Sequence, residues 1–257
     1  MKWRKAMEYR TEELYGDFYE NDEKPLVIVI GSVQPGIPII SKELLEYLKS
    51  KFNVLLLAYF GVGDLPKRLE RIPLEYFIKA INHFKNKLNL NDEDIVLMGS
   101  NKGGELVLLL ISKYINPSVA IACVPSCYVW QAIPKGIMNI LIPKSSWTFK
   151  NKDIPFVRFR YNREVINDIK NKKYNSSHLF SIQTNKNKNA LIKVDQYKGR
   201  LLLISTEKDH YWPSKGMCEF IEKSRKGYTK HIVFNCDGDQ LLKYKEPSME
   251  IMDFLEL

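Results

Sequence analysis

Residues Ile95–Ile111 read IVLMGSNKGGELVLLLI, two apolar runs joined by a polar turn that holds three glycines. The first run, Ile95–Met98, is the short apolar segment of a buried parallel strand. The second, Leu106–Ile111, is helical by context and apolar nearly all round, which predicts a helix buried against a sheet. A strand that passes at once into a buried helix is the unit from which a parallel sheet with covered faces is built.

The same alternation extends in both directions. Upstream, Leu26–Ile30 (LVIVI) ends at Gly31 and predicts a buried strand feeding a loop. Ser41 caps a helix with Leu44, Leu45 and Leu48 on one side, and Val54–Ala58 is the next strand. Pro73 opens a helix at the position where its missing N–H costs nothing, and Phe77, Ile81, Phe84 and Leu88 share one face. Downstream, Val119–Cys123, Leu201–Ser205 and His231–Asn235 are strands, with a Ser214-capped helix between the last two. The expected class is α/β, a mostly parallel central sheet with helices on both faces, in one domain spanning 1–257. In such sheets the site lies at the carboxyl ends of the strands, here the loops after Ile30, Met98, Ser205 and Asn235. The stretch from about Tyr128 to Tyr197 is rich in Lys, Asn and Ser and far exceeds a normal connection, so it predicts a lid-like cap over that site.

Composition narrows the function classes. The chain has 257 residues, 45% of them apolar, and a formal charge of +9, with lysines densest between Lys150 and Lys198. A basic surface attracts anionic ligands. No nucleic-acid motif or interleaved aromatic pattern accompanies the charge, so nucleic-acid binding is not expected. No apolar run reaches the length of a membrane span, and the N-terminus has no apolar stretch behind its basic residues. A cytoplasmic protein without membrane association is expected. Cys123, Cys127, Cys218 and Cys236 lack zinc-like spacing and are expected as reduced thiols, with no metal and no cofactor.

Several stretches together resemble one family, the acyl-CoA thioester hydrolase and bile acid-CoA:amino acid N-acyltransferase C-terminal domain. They are LAYFG at Leu57–Gly61, the Leu65-Pro66 pair, IPLEYF at Ile72–Phe77, KGGE at Lys102–Glu105, SSWT at Ser145–Thr148 and WPS at Trp212–Ser214. The resemblance runs from about Leu26 to the end of the chain and implies an α/β-hydrolase fold and an acyl thioester or ester as ligand. It also implies a Ser or Cys nucleophile at a strand-to-helix elbow, activated by a His that an Asp orients. Gly99 and Gly103 flank the elbow two residues either side of its tip, and the tip is Asn101. Asp209 matches the acid position. Asp239 stands where the family has His, and two carboxylates facing each other there would share a proton or recruit a cation. The oxyanion hole would draw on the N–H of Lys102 and on Ser32 or Val33 in the loop Gly31–Gly36, where Pro35 has no N–H to offer.

Two of the three triad positions therefore carry the wrong chemistry. The expectation is a thioesterase-like protein that keeps a ligand pocket but is impaired or inactive in hydrolysis. An active hydrolase or acyltransferase using Ser100, Cys127 or His210 stays open as the alternative. Acyl-chain length and oligomeric state are not legible.

Overall fold

The computed structural model describes residues 14–21, 23–134, 136–238 and 241–256 in full, and 7–10 by their backbone. In chain order the elements are β1 (Met7–Arg10), β2 (Tyr15–Tyr19), β3 (Leu26–Ile30), α1 (Lys42–Lys51), β4 (Asn53–Ala58), β5 (Ile72–Pro73) and α2 (Leu74–Leu88). Then follow β6 (Ile95–Ser100), α3 (Lys102–Lys113), β7 (Val119–Cys123), α4 (Ile137–Leu141), β8 (Trp147–Phe149), β9 (Lys152–Asp153), α5 (Arg163–Lys170) and α6 (Asn175–Gln183). The chain closes with β10 (Arg200–Thr206), α7 (Ser214–Ser224), β11 (Thr229–Phe234) and α8 (Lys245–Glu256).

Eight strands form one sheet in the order β1-β2-β4-β3-β6-β7-β10-β11. From β4 to β11 every neighbouring pair is parallel, and the β1–β2 and β2–β4 pairs are antiparallel, so β2 alone runs against the rest. Residue alternation sends β3 and β6 side chains into two separate cores. Ile28, Ile30 and Leu97 join the core under α2, α3 and α7, whereas Val27, Val29, Val96 and Met98 join the core under α1 and α8. All five residues of β3 are buried, as a parallel strand covered on both faces requires.

The Ser41 hydroxyl accepts the Leu44 N–H at 3.1 Å and caps α1 as its sequence predicts. Two other helix starts differ. Pro73 is the residue before α2, because residues 72–73 are held as a short strand against Trp147 and Thr148. Ser214 is the first residue of α7 rather than its cap. It is fully buried, and its hydroxyl turns inward towards the Thr206 N–H.

The cap is stitched to the body more tightly than its polar composition predicts. β8 pairs with β5, and Trp130, Trp147, Val157, Ile192 and Val194 enter the core beneath α3. Among the described residues no helix is long and apolar enough to cross a membrane.

α3 can start directly at the end of β6 only because Gly103 has no side chain. A Cβ there would overlap the carbonyl oxygens of Gly31 and Ile30 at the end of β3. Backbone atoms cannot step aside as a side chain can, so Gly103→Ala should destabilise the fold by about 2–3 kcal/mol. Urea unfolding followed by circular dichroism measures this, and an unchanged midpoint would mean that the helix and strand are not in contact there.

Candidate active site

Asn101 sits at the tip between β6 and α3 with φ 54° and ψ −114°. This conformation is sparsely populated by residues other than glycine and persists only where the surroundings impose it. Here they do. The Asn101 N–H donates to the Cys123 carbonyl at 2.9 Å, and the Asn101 carbonyl accepts the Glu105 N–H at 2.9 Å. A Cβ on Gly99 would strike the Gly103 carbonyl, so both flanking glycines are needed to close the turn. The first amides of α3, beginning with Lys102, have no intrahelical acceptor. The Ser32 and Val33 amides have none among the described residues either. The Ser32 carbonyl is fixed by the Tyr59 hydroxyl at 2.6 Å.

Beside the tip lies a buried ion pair. Lys102 Nζ is 2.8 and 2.7 Å from the two oxygens of Glu105, one turn along α3. Glu105 Oε1 also accepts Trp147 Nε1–H at 2.8 Å and the Trp130 N–H at 3.3 Å. Burial drives the Glu105 pKa up and that of Lys102 down, and their mutual attraction opposes both shifts. The pair ties the elbow helix to two cap tryptophans.

Asp209 lies in the loop after β10. Its Oδ1 accepts the N–H groups of Tyr211 at 2.9 Å and Trp212 at 3.3 Å. Its Oδ2 is buried without a hydrogen-bond partner among the described residues, and burial raises its pKa. Gly238 passes directly over it, since a Cβ there would lie 3.2 Å from Asp209 Oδ2. The loop after β11 therefore runs past the acid. Asp239 lies outside the described residues. Asn101 and Asp209 are joined by a short relay: Trp212 Nε1–H donates to the Val124 carbonyl at 2.9 Å, next to Cys123, which accepts from Asn101.

His178 comes from α6 in the cap and is marked by no local signal in the sequence. Its ring packs edge-on against Trp130, Phe159 and Trp212, with centroids 4.5, 5.1 and 5.7 Å away. Burial, aided by the Lys102 charge, pushes its pKa down to about 4. On the same helix, Asn175 Nδ2–H donates to the Asp209 carbonyl at 2.9 Å. α6 thus packs on the acid loop and on Trp130, whose N–H meets Glu105. Its segment shows no apolar stripe, and no local signal announces this contact.

The alternative nucleophiles and base are placed differently. Strand alternation puts Ser100 on the same face of β6 as Met98, towards α1 and α8. Cys127 is a buried core residue whose thiol burial pushes up to about 12, which keeps it protonated and weakly nucleophilic. His210 is solvent-exposed, with Nε2 3.5 Å from Asp237. A further trio has the composition of a triad. Ser205 Oγ lies 2.7 Å from His231 Nε2, and His231 Nδ1 lies 3.7 Å from Glu222. Ser205 is fully buried within the sheet, however, where no acyl carbonyl can reach it. That trio fastens β10 to β11 and α7. Two surface hollows are lined by neither Asn101 nor Asp209: one of about 600 Å3 along α2, and one of about 420 Å3 on the cap.

Comparison with known proteins bears on the family and the fold. The profile of the family described as BAAT / acyl-CoA thioester hydrolase C terminal matches residues 72–241. Acyl-coenzyme A thioesterase 1 of Rattus norvegicus is 38% identical over 104 residues, covering 35% of this chain and 25% of that protein. Acyl-coenzyme A amino acid N-acyltransferase 1 of Mus musculus is 25% identical over 167 residues, covering 64% of this chain and 35% of that protein. The chain thus spans between a quarter and about a third of the length of these curated relatives. Among solved structures, an esterase of Pyrococcus furiosus superposes with a TM-score of 0.61 at 16% identity, over 98% of this chain and 90% of that one. At that identity the likeness establishes the α/β-hydrolase fold alone.

Lys102→Met strips Glu105 of its cation in a buried setting and should cost about 3–5 kcal/mol. Lys102→Met with Glu105→Gln should recover most of that loss in the same denaturant titration. His178 yields a pH signature. Its folded pKa lies below the ordinary 6.5, so its contribution to stability is complete above pH 6.5 and is lost as pH falls towards about 4. His178→Leu should therefore flatten the fall in urea midpoint between pH 7 and pH 4.5, and an unchanged slope would place the ring in solvent.

Proposed function

Because the chain belongs to the family of BAAT and acyl-CoA thioester hydrolase C-terminal domains, we propose that it binds an acyl thioester at the elbow without hydrolysing it. The observation that carries this reading is the position of Asn101, whose backbone has the strained conformation of an elbow tip. An acyl-transfer nucleophile must offer a lone pair that a nearby base can free for attack. The nitrogen lone pair of a carboxamide is delocalised into its carbonyl and cannot do this. The Asn101 amide can still donate a hydrogen bond to the thioester carbonyl. The Lys102 amide and those of Ser32 and Val33 would add to that hold.

Loss of the nucleophile in a well-studied serine protease costs about a millionfold in turnover, because the triad acts as a unit. In this reading the base is lost as well, with Asp239 at the His position, while Asp209 keeps the place of the acid. Ser100 faces α1 and α8 rather than the elbow, Cys127 is a core thiol held protonated, and His210 is solvent-exposed, which together speak against a substitute nucleophile or base. The tip is itself 6% exposed, so a ligand reaches it only when the segments packed around it open.

Release of free thiol from acyl-CoA tests this. The wild-type chain should bind acyl-CoA with no turnover above the uncatalysed rate. Asn101→Ser combined with Asp239→His should gain hydrolysis, and adding Asp209→Ala should remove the gain. Wild-type turnover that Asp209→Ala abolishes would contradict the proposal.

A further inference from the structure

The stretch 150–198 carries twelve Lys and Arg against four Asp and Glu, so nearly all of the chain's charge of +9 resides in the cap. Part of that charge is gathered at one concave place. The cleft of about 420 Å3 is lined by Phe156, Arg158, Arg160, Thr184, Lys186 and the flanking Asn185 and Asn187. Three cations face it and no carboxylate lines it. None of the three is in an ion pair among the described residues. Elsewhere on the surface, Lys51, Lys144, Lys215 and Lys230 each have a carboxylate within 4 Å.

The cleft is also shaped by the fold. Residues 156–160 run extended, so Arg158 and Arg160 project from one side while Val157 and Phe159 project from the other. Val157 is buried, and Phe159 stacks on Trp130 at 5.5 Å and meets His178 at 5.1 Å. The opposite wall is the turn 184–187. The Asn185 side chain donates to the Asn187 carbonyl and accepts the Asn187 N–H, and Asn187 Nδ2–H donates to the Phe156 carbonyl at 3.4 Å. The Arg160 N–H donates to Ser181 Oγ at 2.8 Å, on the same helix as His178. The cationic side of this extended segment is therefore backed by the aromatic cluster that covers the elbow.

We propose that Arg158, Arg160 and Lys186 form a phosphate-binding site for the nucleotide end of a coenzyme A thioester whose acyl end reaches Asn101. This rests on the acyl-thioester reading of the elbow and assigns the other end of the ligand. Two guanidinium groups projecting from the same side of this extended segment can each clasp a separate phosphate in bidentate fashion. Lys186 adds a point charge from the facing turn, and Phe156 offers an aromatic surface to a base. The charge of the whole cap steers a polyanion towards the same place.

Isothermal titration with adenosine 3′,5′-bisphosphate probes the cleft without any acyl group. It should bind, and the affinity should fall at least about tenfold in Arg158→Glu/Arg160→Glu and in Lys186→Glu. These side chains are exposed, and an unchanged melting temperature confirms that each variant folds. Inorganic phosphate should bind at least about tenfold more weakly than the bisphosphate. No binding of the bisphosphate at millimolar concentration, or equal binding to wild type and variants, overturns the site. Equal affinity for inorganic phosphate overturns the nucleotide assignment. An acyl-pantetheine thioester, which lacks the nucleotide, separates the two readings. Its binding should be indifferent to the charge reversals. If it fails to bind while the bisphosphate binds, the elbow reading falls and the cleft stands as a nucleotide site.

Discussion

The end of β3 and the start of α3 meet through bare backbone, with Gly103 against the carbonyls of Ile30 and Gly31. That contact fixes where α3 begins, and so forces the residue before it into a conformation that few side chains tolerate. Everything at the site inherits from this constraint. The tip residue is lifted out of the strand, the amides of the first helical turn are left without acceptors, and Lys102 is turned into the protein beside its Glu105 partner. Such a turn is costly to keep. In this chain the turn is kept around an amide, which is the feature the proposed binding role rests on.

The cap is held to this elbow by polar and aromatic contacts of unequal character. Glu105 links the ion pair to Trp147 and Trp130, and both tryptophans are fully buried. These contacts are deep and expensive to break. α6 is attached instead through ring edges around His178 and one side-chain bond from Asn175 to the Asp209 loop. A segment held by fewer deep contacts opens at lower free energy than the core it covers. The cap therefore divides into a fixed part anchored by tryptophans and a part that can lift. The basic cleft lies beside their junction.

Much of this was legible from sequence where burial writes a simple pattern. LVIVI forms β3 at Leu26–Ile30, Ser41 caps α1, and the run after Gly104 is a helix buried all round. The elbow is implied by the family resemblance, and the close approach of backbone at Gly99 and Gly103 is the physical reason those two positions carry it. The misreadings share a cause. Pro73 and Ser214 carry local helix-start chemistry, but a strand pairing and a buried hydroxyl shift each start by one residue. β1, β2 and α8 were not anticipated. β2 reads YGDFY, with only Phe18 as a buried apolar anchor, and α8 carries Pro247 in its first turn. His178 sits in a polar stretch, and its three aromatic neighbours come from other parts of the chain. Periodicity reports which face of an element is buried, and it says nothing about which distant segment covers it.

Whether the elbow has kept its form and lost its attack is decided by the mass of the intact wild-type chain after prolonged incubation with acyl-CoA. An amide at the tip cannot form an acyl-enzyme, so the denatured protein should retain its unmodified mass while native spectra show intact acyl-CoA bound. A chain made heavier by the acyl group, stable to denaturation, would reveal a working nucleophile and contradict the account.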